Sequence, residues 1–451
     1  MQSDWKVVTV EQLAGQGPAS LATGPFGSSI SSRHFTDSGV PVIRGSNLSA
    51  DVSVRLEDEG LVFVSPEKAH EFRRSVVRRG DLVFTCWGTI NQVGLIDETS
   101  KFEEYIISNK QMKLTVDTAK ADARFLYYLF SSPQKQREIL ENGIGSSVPG
   151  FNLGQLRAHQ LLLPPLRDQR AIASCLKLFD DRIDLLRQTN TTLESIAQAI
   201  FKSWFVDFDP VRAKADGREP EGLDAATAAL FPAEFEESAL GLIPRGWDVH
   251  PIGDLVEAVG GSTPDTKNSA FWAPALHHWT SPKDLSGATS PVLLDTERRV
   301  SPAGLAKISS GLLPTGSLLM SSRAPIGYLT LTQVPVAINQ GYIAMPPGGR
   351  LPPLYLYFWC GANMDGIKGR ANGSTFMEIS KRAFRPIEAL LPPQPVIDRF
   401  AEVADAMFNR LVANERQALA LVELRDALLP RLISGKLRIP DAQAELKEAL
   451  A

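Results

Sequence analysis

The stretch LLLPPLRDQRAIASCLKLFDDRIDLLRQTNTTLESIAQAIFKSWFV, residues 161–206, decides how the rest of the chain is read. Pro164 and Pro165 lack N–H groups and push the residue before them into an extended conformation, so a helix starts only after them. From there Ile172, Leu176, Phe179, Ile183, Leu186, Asn190, Leu193, Ala197, Ile200 and Trp204 recur at steps of four and three, the spacing of a coiled-coil seam. Neither proline nor glycine interrupts Arg167 to Val206. At 1.5 Å per residue that span is a rod of about 60 Å, longer than an ordinary core helix and suited to a spacer.

The chain then repeats the arrangement. Sliding it by 228 residues lays Pro164-Pro165 on Pro392-Pro393, and the seam falls on Phe400, Ala404, Met407, Leu411, Asn414, Ala418, Leu421, Arg425, Leu428 and Leu432. Upstream, Gly145-Ser146-Ser147 stands as far before its proline pair as Gly373-Ser374-Thr375 stands before its own. Leu126–Phe130 answers Tyr355–Trp359, Gly80–Val83 answers Gly316–Leu319, Asn109 answers Asn339, and Trp5 answers Trp247. A period of about 230 residues marks a duplicated domain and not a solenoid.

With 451 residues and 43% hydrophobic residues, the chain has material for two cores. Its three cysteines, Cys86, Cys175 and Cys360, form no Cys-x-x-Cys pair, which points to a reducing compartment and away from a disulfide framework or a zinc site. The amino terminus has no apolar run of the signal-peptide kind and no stretch of 18 apolar residues occurs, so the expected location is cytoplasmic, with no membrane partner. The net charge of −4 is concentrated in one place: residues 207–244 hold 3 basic against 9 acidic residues, whereas 245–392 hold 13 against 10. A phosphate-facing surface on the globules therefore remains open, with Arg73-Arg74 and Arg78-Arg79 as local clusters in the first.

Residues 1–165 read as an α+β globule. PVIRGSNL (41–48), DLVFTCWG (81–88) and QMKLTV (111–116) have strand character; 123–143 and 153–159 have helical spacing. Its loops TGPFGSS (23–29), RGSN (44–47), CWGTINQ (86–92), SNKQ (108–111) and GIGSSV (143–148) are rich in glycine, serine, asparagine and glutamine, side chains and amides suited to base edges and phosphates. Residues 245–393 repeat the scheme with other loops: 260–269, 277–284, 321–327, 339–341 and 369–375. His277-His278 invites a metal reading, but neighbouring strand residues point apart and no further ligand falls at the right spacing, so metal ligands are expected to number none. There is no phosphate loop, no G-x-S-x-G elbow, no H-E-x-x-H and no Asn/Asp-Pro-Pro-aromatic motif of an adenine methyltransferase. Catalytic residues are likewise expected to be none.

A half-domain ending in Gly-Ser-Ser/Thr, a Leu-Pro-Pro hinge and a long helix, all repeated, resembles the DNA-specificity (S) subunits of type I restriction-modification systems. SWFVDFDPVRAK (203–214) and ALFPAEFEESALGLIPRGW (229–247) look like that family's junction between halves, and IRGSNL, GDLVFTCWG, ISNKQ, GSLLMSSRAPIG (316–327) and AINQG (337–341) look like its target recognition domains. The resemblance implies two similar α+β recognition domains, 1–165 and 245–393, separated by spacer helices 166–206 and 394–436 that pack antiparallel with pseudo-twofold symmetry. Residues 207–244 link the halves, ordered on Phe205, Phe208, Phe231 and Phe235, and 437–451 form a tail. It also implies double-stranded DNA as a partner, two modification subunits that use S-adenosylmethionine, and restriction subunits that use ATP and Mg, with no cofactor held by this chain. DNA contacts are expected from Arg44, Asn47, Trp87, Asn91, Asn109, Lys110 and Gly145, Ser146, Ser147 in the first half. In the second they are expected from Lys283, Ser322, Arg323, Asn339, Gln340 and Gly373, Ser374, Thr375. The competing reading is a cytoplasmic assembly scaffold whose repeated globules bind protein and not DNA; a salt-dependent duplex shift separates the two. Finally, an axis crossing near residue 188 brings Asn190 opposite Asn414, where two amides satisfy each other.

Overall fold

The computed structural model describes residues 4–144, 149–288, 290–373 and 377–450. The chain divides into two compact units, Met1–Leu185 with Ala418–Ala451, and Leu186–Gln417. Each unit thus contains one globule and part of each long helix. Those helices run Leu166–Phe205 and Gln394–Ile433, 40 residues each, and both begin directly after their proline pairs. Pro430 lies inside the second, in its last turn, where only one backbone bond of the helix is forfeited.

In the second unit the helices run antiparallel. Phe201 meets Phe400 with ring centroids 5.6 Å apart, Leu193 packs with Leu411, and the Asn414 amide donates to the Asn190 side-chain oxygen at 2.9 Å, so one number falls as the other rises. Asn190 also donates to Glu415 at 3.2 Å, which leaves neither buried amide without a partner. The sequence-derived pairing of the two asparagines is what the helices adopt.

The first unit holds a four-stranded antiparallel sheet in the order Leu21–Thr23, Gln111–Thr115, Asp81–Thr85, Val93–Leu95. A five-stranded sheet follows the order Phe35–Thr36, Val62–Val64, Val40–Ile43, Glu104–Ile107, Val76–Arg78, with Val40–Ile43 parallel to Glu104–Ile107. Lys6–Thr9 pairs separately with Gln160–Leu163. The helical pattern over 123–143 is in fact two helices, Ala123–Ser131 and Pro133–Glu141, because Pro133 cannot continue the first and Ser132 caps the second.

The second unit repeats this frame. Val292–Leu293, Leu329–Thr332, Leu318–Ser321 and Tyr342–Met345 form its four-stranded sheet; Arg298–Val300, His277–Thr280 and Val336–Ile338 form a three-stranded one with the same parallel pair; Asp248–Pro251 pairs with Glu388–Leu391. The registers define equivalent residues. Thr85 faces Gln111 as Ser321 faces Tyr342, and Ile43 faces Ile107 as Thr280 faces Ile338. Lys6 faces Leu163 as Asp248 faces Leu391, so Trp5 does correspond to Trp247. Asn109, by contrast, corresponds to Gln340 and Ser108 to Asn339, because the pairing shifts the sequence alignment by one residue.

The segment between the halves is ordered in the second unit. Asp224 caps a short helix, Ala225–Ala229, and a hairpin follows, Phe235–Ser238 against Gly241–Pro244. Phe205, Phe208 and Phe231 all pack around the Trp247 ring, with centroids 5.9–6.4 Å away, and Phe235 packs on Phe208.

Candidate nucleic-acid interface

In each unit the ends of the paired strands bring the glycine- and asparagine-rich loops to one edge. In the first, the Ser108 N–H donates to the Ile43 carbonyl, Cys86 N–H to Lys110, Gly24 N–H to Gln111 and the Asn109 amide to Gly27, at 2.8–3.0 Å. Loops 23–29, 44–47, 86–92 and 108–111 therefore converge. Gly24 is required there, because a Cβ would stand 1.8 Å from the Ser108 carbonyl oxygen. Trp87 bridges to Gly150, whose missing side chain leaves room for the indole, and Gly88 donates to Pro149.

The second unit reproduces the edge with other side chains. Asn339 N–H donates to Thr280, Ser322 N–H to Gly341 and Ser262 N–H to Ile338, at 2.8–3.1 Å. Gly261 takes the place of Gly24: a Cβ on it would also fall 1.8 Å from a carbonyl oxygen, that of Ile338. Arg323 bridges to Glu378, with guanidinium and carboxylate 3.7 Å apart, and Asn372 bridges to Glu378 as Ile144 bridges to Gly150.

Of the sequence-derived residues, Trp87, Asn109 and Lys110 are exposed on the first edge and Asn91 is half-buried beside them. Arg44 is half-buried, and its guanidinium donates to the Gly60 carbonyl at 3.0 Å. Asn47 does not present its amide to the surface. It is buried, accepts from the Arg44 N–H and donates to the Glu57 carbonyl, so it holds the loop's shape. Ser322 is also buried, and joins the edge through its backbone. Asn339 turns its side-chain oxygen back onto Gly341 N–H at 2.8 Å. Gln340 is exposed and accepts from Thr263; Lys283 is exposed, 3.8 Å from Glu297. Gly373 has φ of +115°, a conformation that favours glycine. Gly145, Ser146, Ser147, Ser374 and Thr375 lie outside the described residues.

Two edge side chains escaped the sequence reading. Phe26, 82% exposed between Pro25 and Gly27, carries an aromatic face at the tip of the first loop. Glu378, opposite Arg323, is separated from it by 55 positions, and no local spacing pairs them. His278 lies 3.1 Å from Asp295 and 3.2 Å from Thr296, and burial lowers its pKa. Among the described residues no cluster of three or more His, Cys, Asp or Glu has metal-site geometry. All three cysteines are buried thiols; burial pushes Cys86 up to about 11, so it is not poised as a thiolate at neutral pH. Among the described residues no helix is long and apolar enough to cross a membrane.

Similarity to known proteins agrees with this architecture. The chain is 26% identical over 407 residues to the type I restriction enzyme HindI specificity subunit of Haemophilus influenzae, covering 81% of this chain and 88% of that one. It is 24% identical to the MjaIX specificity subunit of Methanocaldococcus jannaschii, over 71% and 70% of the two chains. The crystal structure of a type I restriction-modification S subunit from M. genitalium superposes with a TM-score of 0.55 at 14% identity, covering 95% and 96% of the chains, and shows the same fold. The family described as Type I restriction modification DNA specificity domain matches residues 3–195 and 244–423, and with both halves of the repeat so matched, the chain belongs to that family.

Proposed function

We propose that this chain is the sequence-reading subunit of a type I restriction-modification complex, each unit reading one half of a bipartite, asymmetric DNA site. The observation that carries the reading is one backbone frame bearing two different sets of edge groups. Trp87 in the first unit is Arg323 in the second, Gly150 is Glu378, Asn109 is Gln340 and Lys110 is Gly341. Equal frames with unlike donors and acceptors read unlike base edges. The long helices set the gap between the two half-sites. Membership of the specificity family favours this reading over a protein-binding scaffold.

The reading also assigns the chemistry to partners. Methyl transfer with S-adenosylmethionine belongs to two modification subunits, and ATP- and Mg-dependent translocation and cleavage to restriction subunits; this chain holds no cofactor and supplies the address. Leu178 and Leu185, exposed and seven residues apart on the first long helix, give the modification subunits an apolar stripe to dock on.

Replacing residues 245–392 with the corresponding domain of another specificity subunit, followed by methylome sequencing, tests the reading. One half of the methylated motif is expected to change. A motif altered in both halves, or no duplex binding by the chain with its modification subunits at low salt, overturns it.

A further inference from the structure

Internal duplication lets each edge position be compared with its counterpart, and two positions that face each other change together. In the first unit Trp87 stands opposite Gly150, where a Cβ would come 2.6 Å from the indole, so the facing position is left empty to seat the ring. In the second unit Arg323 stands opposite Glu378, with guanidinium and carboxylate 3.7 Å apart. What faces the outward side chain thus follows what that side chain is: room for an indole, a carboxylate for a guanidinium.

Both members of the second pair sit on tied backbone. Ser322, next to Arg323, donates its N–H to Gly341 at 2.8 Å and accepts from Ile379 N–H at 3.0 Å. The Ser321 hydroxyl closes the turn beyond, donating to the Pro325 carbonyl at 2.7 Å and accepting from Tyr328 N–H at 2.8 Å. Glu378 exchanges two backbone hydrogen bonds with Asn372, at 2.9 and 3.0 Å. The two side chains keep 36% and 46% of their surface open, so the ion pair adds little to stability. A carboxylate also works against binding a polyanion. Residues 366–387 carry five basic side chains, Lys368, Arg370, Lys381, Arg382 and Arg385, and Glu378 is the one acid among them. Neither fold stability nor attraction to phosphates accounts for Glu378, whereas support of Arg323 does.

We propose that Glu378 is a positioning residue that sets specificity in the half-site of the second unit: it holds the Arg323 guanidinium for a paired contact to O6 and N7 of a guanine and keeps it off the phosphates. This rests on the DNA-reading role of the unit. Guanine presents two acceptors side by side in the major groove, the match to the guanidinium fork. An arginine tethered to a carboxylate must give up that ion pair to swing onto a phosphate, but can keep it while its free N–H groups reach a base edge. Glu378 therefore lowers affinity for DNA at large and widens the margin for one base.

The test compares cognate duplex, defined by methylome sequencing, with random duplex for the full-length chain assembled with its modification subunits, by anisotropy over a salt series. Glu378→Gln, checked for unchanged melting, is expected to bind random duplex at least as tightly as wild type and to lose at least about fivefold in the cognate-over-random ratio. Its slope of log K against log salt on random duplex should steepen by about 0.9, the mark of one further phosphate contact. Glu378→Asp should recover part of the ratio. 7-Deazaguanine, which lacks the N7 acceptor, at one guanine of the half-site should weaken wild type at least about fivefold and leave Arg323→Ala unchanged. Adding Glu378→Gln to Arg323→Ala should leave the ratio where Arg323→Ala puts it. A further fall in that double variant, equal losses on cognate and random duplex, or a half-site with no guanine on either strand overturns the proposal. If Glu378→Gln fails to fold, the same readings on Glu378→Asp and the 7-deazaguanine comparison decide, and an equal 7-deazaguanine loss in wild type and Arg323→Ala refutes the guanine contact. A wild-type complex that does not discriminate overturns the DNA-reading role and this proposal with it; a discriminating wild type with an unchanged Glu378→Gln ratio overturns this proposal alone.

Discussion

Asp180 lies on the first long helix and is enclosed within the first unit between two arginines. Arg55 approaches it at 2.9 Å from the globule and Arg425 at 2.8 Å from the second long helix, while the Tyr128 hydroxyl donates to the same carboxylate. All four side chains are buried. Arg55 follows the loop that Asn47 shapes and also reaches Asp97 at 3.2 Å; Arg425 also meets Asp426 at 2.8 Å. Asp180→Ala removes the anion that the two guanidiniums share. Removing one member of a buried ion pair costs about 3–5 kcal/mol, and because Asp97 and Asp426 still hold one arginine each, the loss should stay within that range and not double it. With a urea slope of about 2–3 kcal/mol/M for a unit of this size, the midpoint should fall by about 1–2.5 M. Urea titration of the full chain by far-UV circular dichroism measures this. The combined variant Asp180→Leu, Arg55→Leu, Arg425→Met should recover part of the loss, since apolar replacement of buried ionic groups is often neutral or stabilising, while buried Asp97 keeps only Arg124 at 3.8 Å. A loss below about 1 kcal/mol, or a triple variant as unstable as the single one, would refute the electrostatic account and assign the site to packing alone.

Three further outcomes are expected. Asn190→Leu should cost about 1–3 kcal/mol by orphaning the buried Asn414 amide, with Asn190→Leu/Asn414→Leu less destabilised than either single variant; additive losses in denaturation would argue against the pairing. Burial, reinforced by Lys135, holds His159 below its ordinary 6.5, so the unfolded chain takes up a proton that the folded chain refuses. Stability should therefore fall as pH drops below about 6.5, and His159→Gln should flatten that dependence in melts recorded from pH 7.5 to 5. Arg323→Ala should weaken binding to the cognate site by about 1–3 kcal/mol and relax one position in one half of the methylated motif; a uniform loss on all sequences would place Arg323 on a phosphate.

The parts of this fold legible in the sequence are those governed by period and by proline. A seam at steps of three and four, opened by Pro164-Pro165 and again by Pro392-Pro393, specifies two long helices because burial and missing N–H groups act locally. The Asn190–Asn414 pair was legible too, since symmetry and the cost of a lone buried amide leave few registers. Arg425 was visible as the one charge in its seam, but its partner Asp180 comes from another helix and the second arginine on that carboxylate, Arg55, from a distant loop, and no spacing connects them. The same limit applies to the edges. Asn47 and Ser322 have residue types suited to reading bases, yet tertiary packing turns both inward, and the one-residue shift between Asn109 and Asn339 emerges only from strand register.

That shift has a chemical consequence for how the two halves differ. Aligned by sequence, Asn109 and Asn339 are one asparagine kept in two copies, which implies a shared contact; aligned by register, the exposed position pairs Asn109 with Gln340, and the inward position pairs Ser108 with Asn339. What the copies keep in common is therefore the close approach of Gly24 and Gly261 to a strand-end carbonyl, where any side chain would collide. What they vary is everything pointing outward from that fixed backbone: an indole over Gly150 in one, a guanidinium steadied by Glu378 in the other. A side chain such as Trp87 or Arg323 changed on such an edge alters the pattern of donors and acceptors without disturbing the sheet beneath it, because the strand-end hydrogen bonds at Cys86, Ser108, Ser322 and Asn339 run through backbone groups, whereas Asn47, Asn109 and Asn339 also tie their loops with side chains. Specificity in this architecture can then change one half at a time, because each edge is assembled from residues of its own unit.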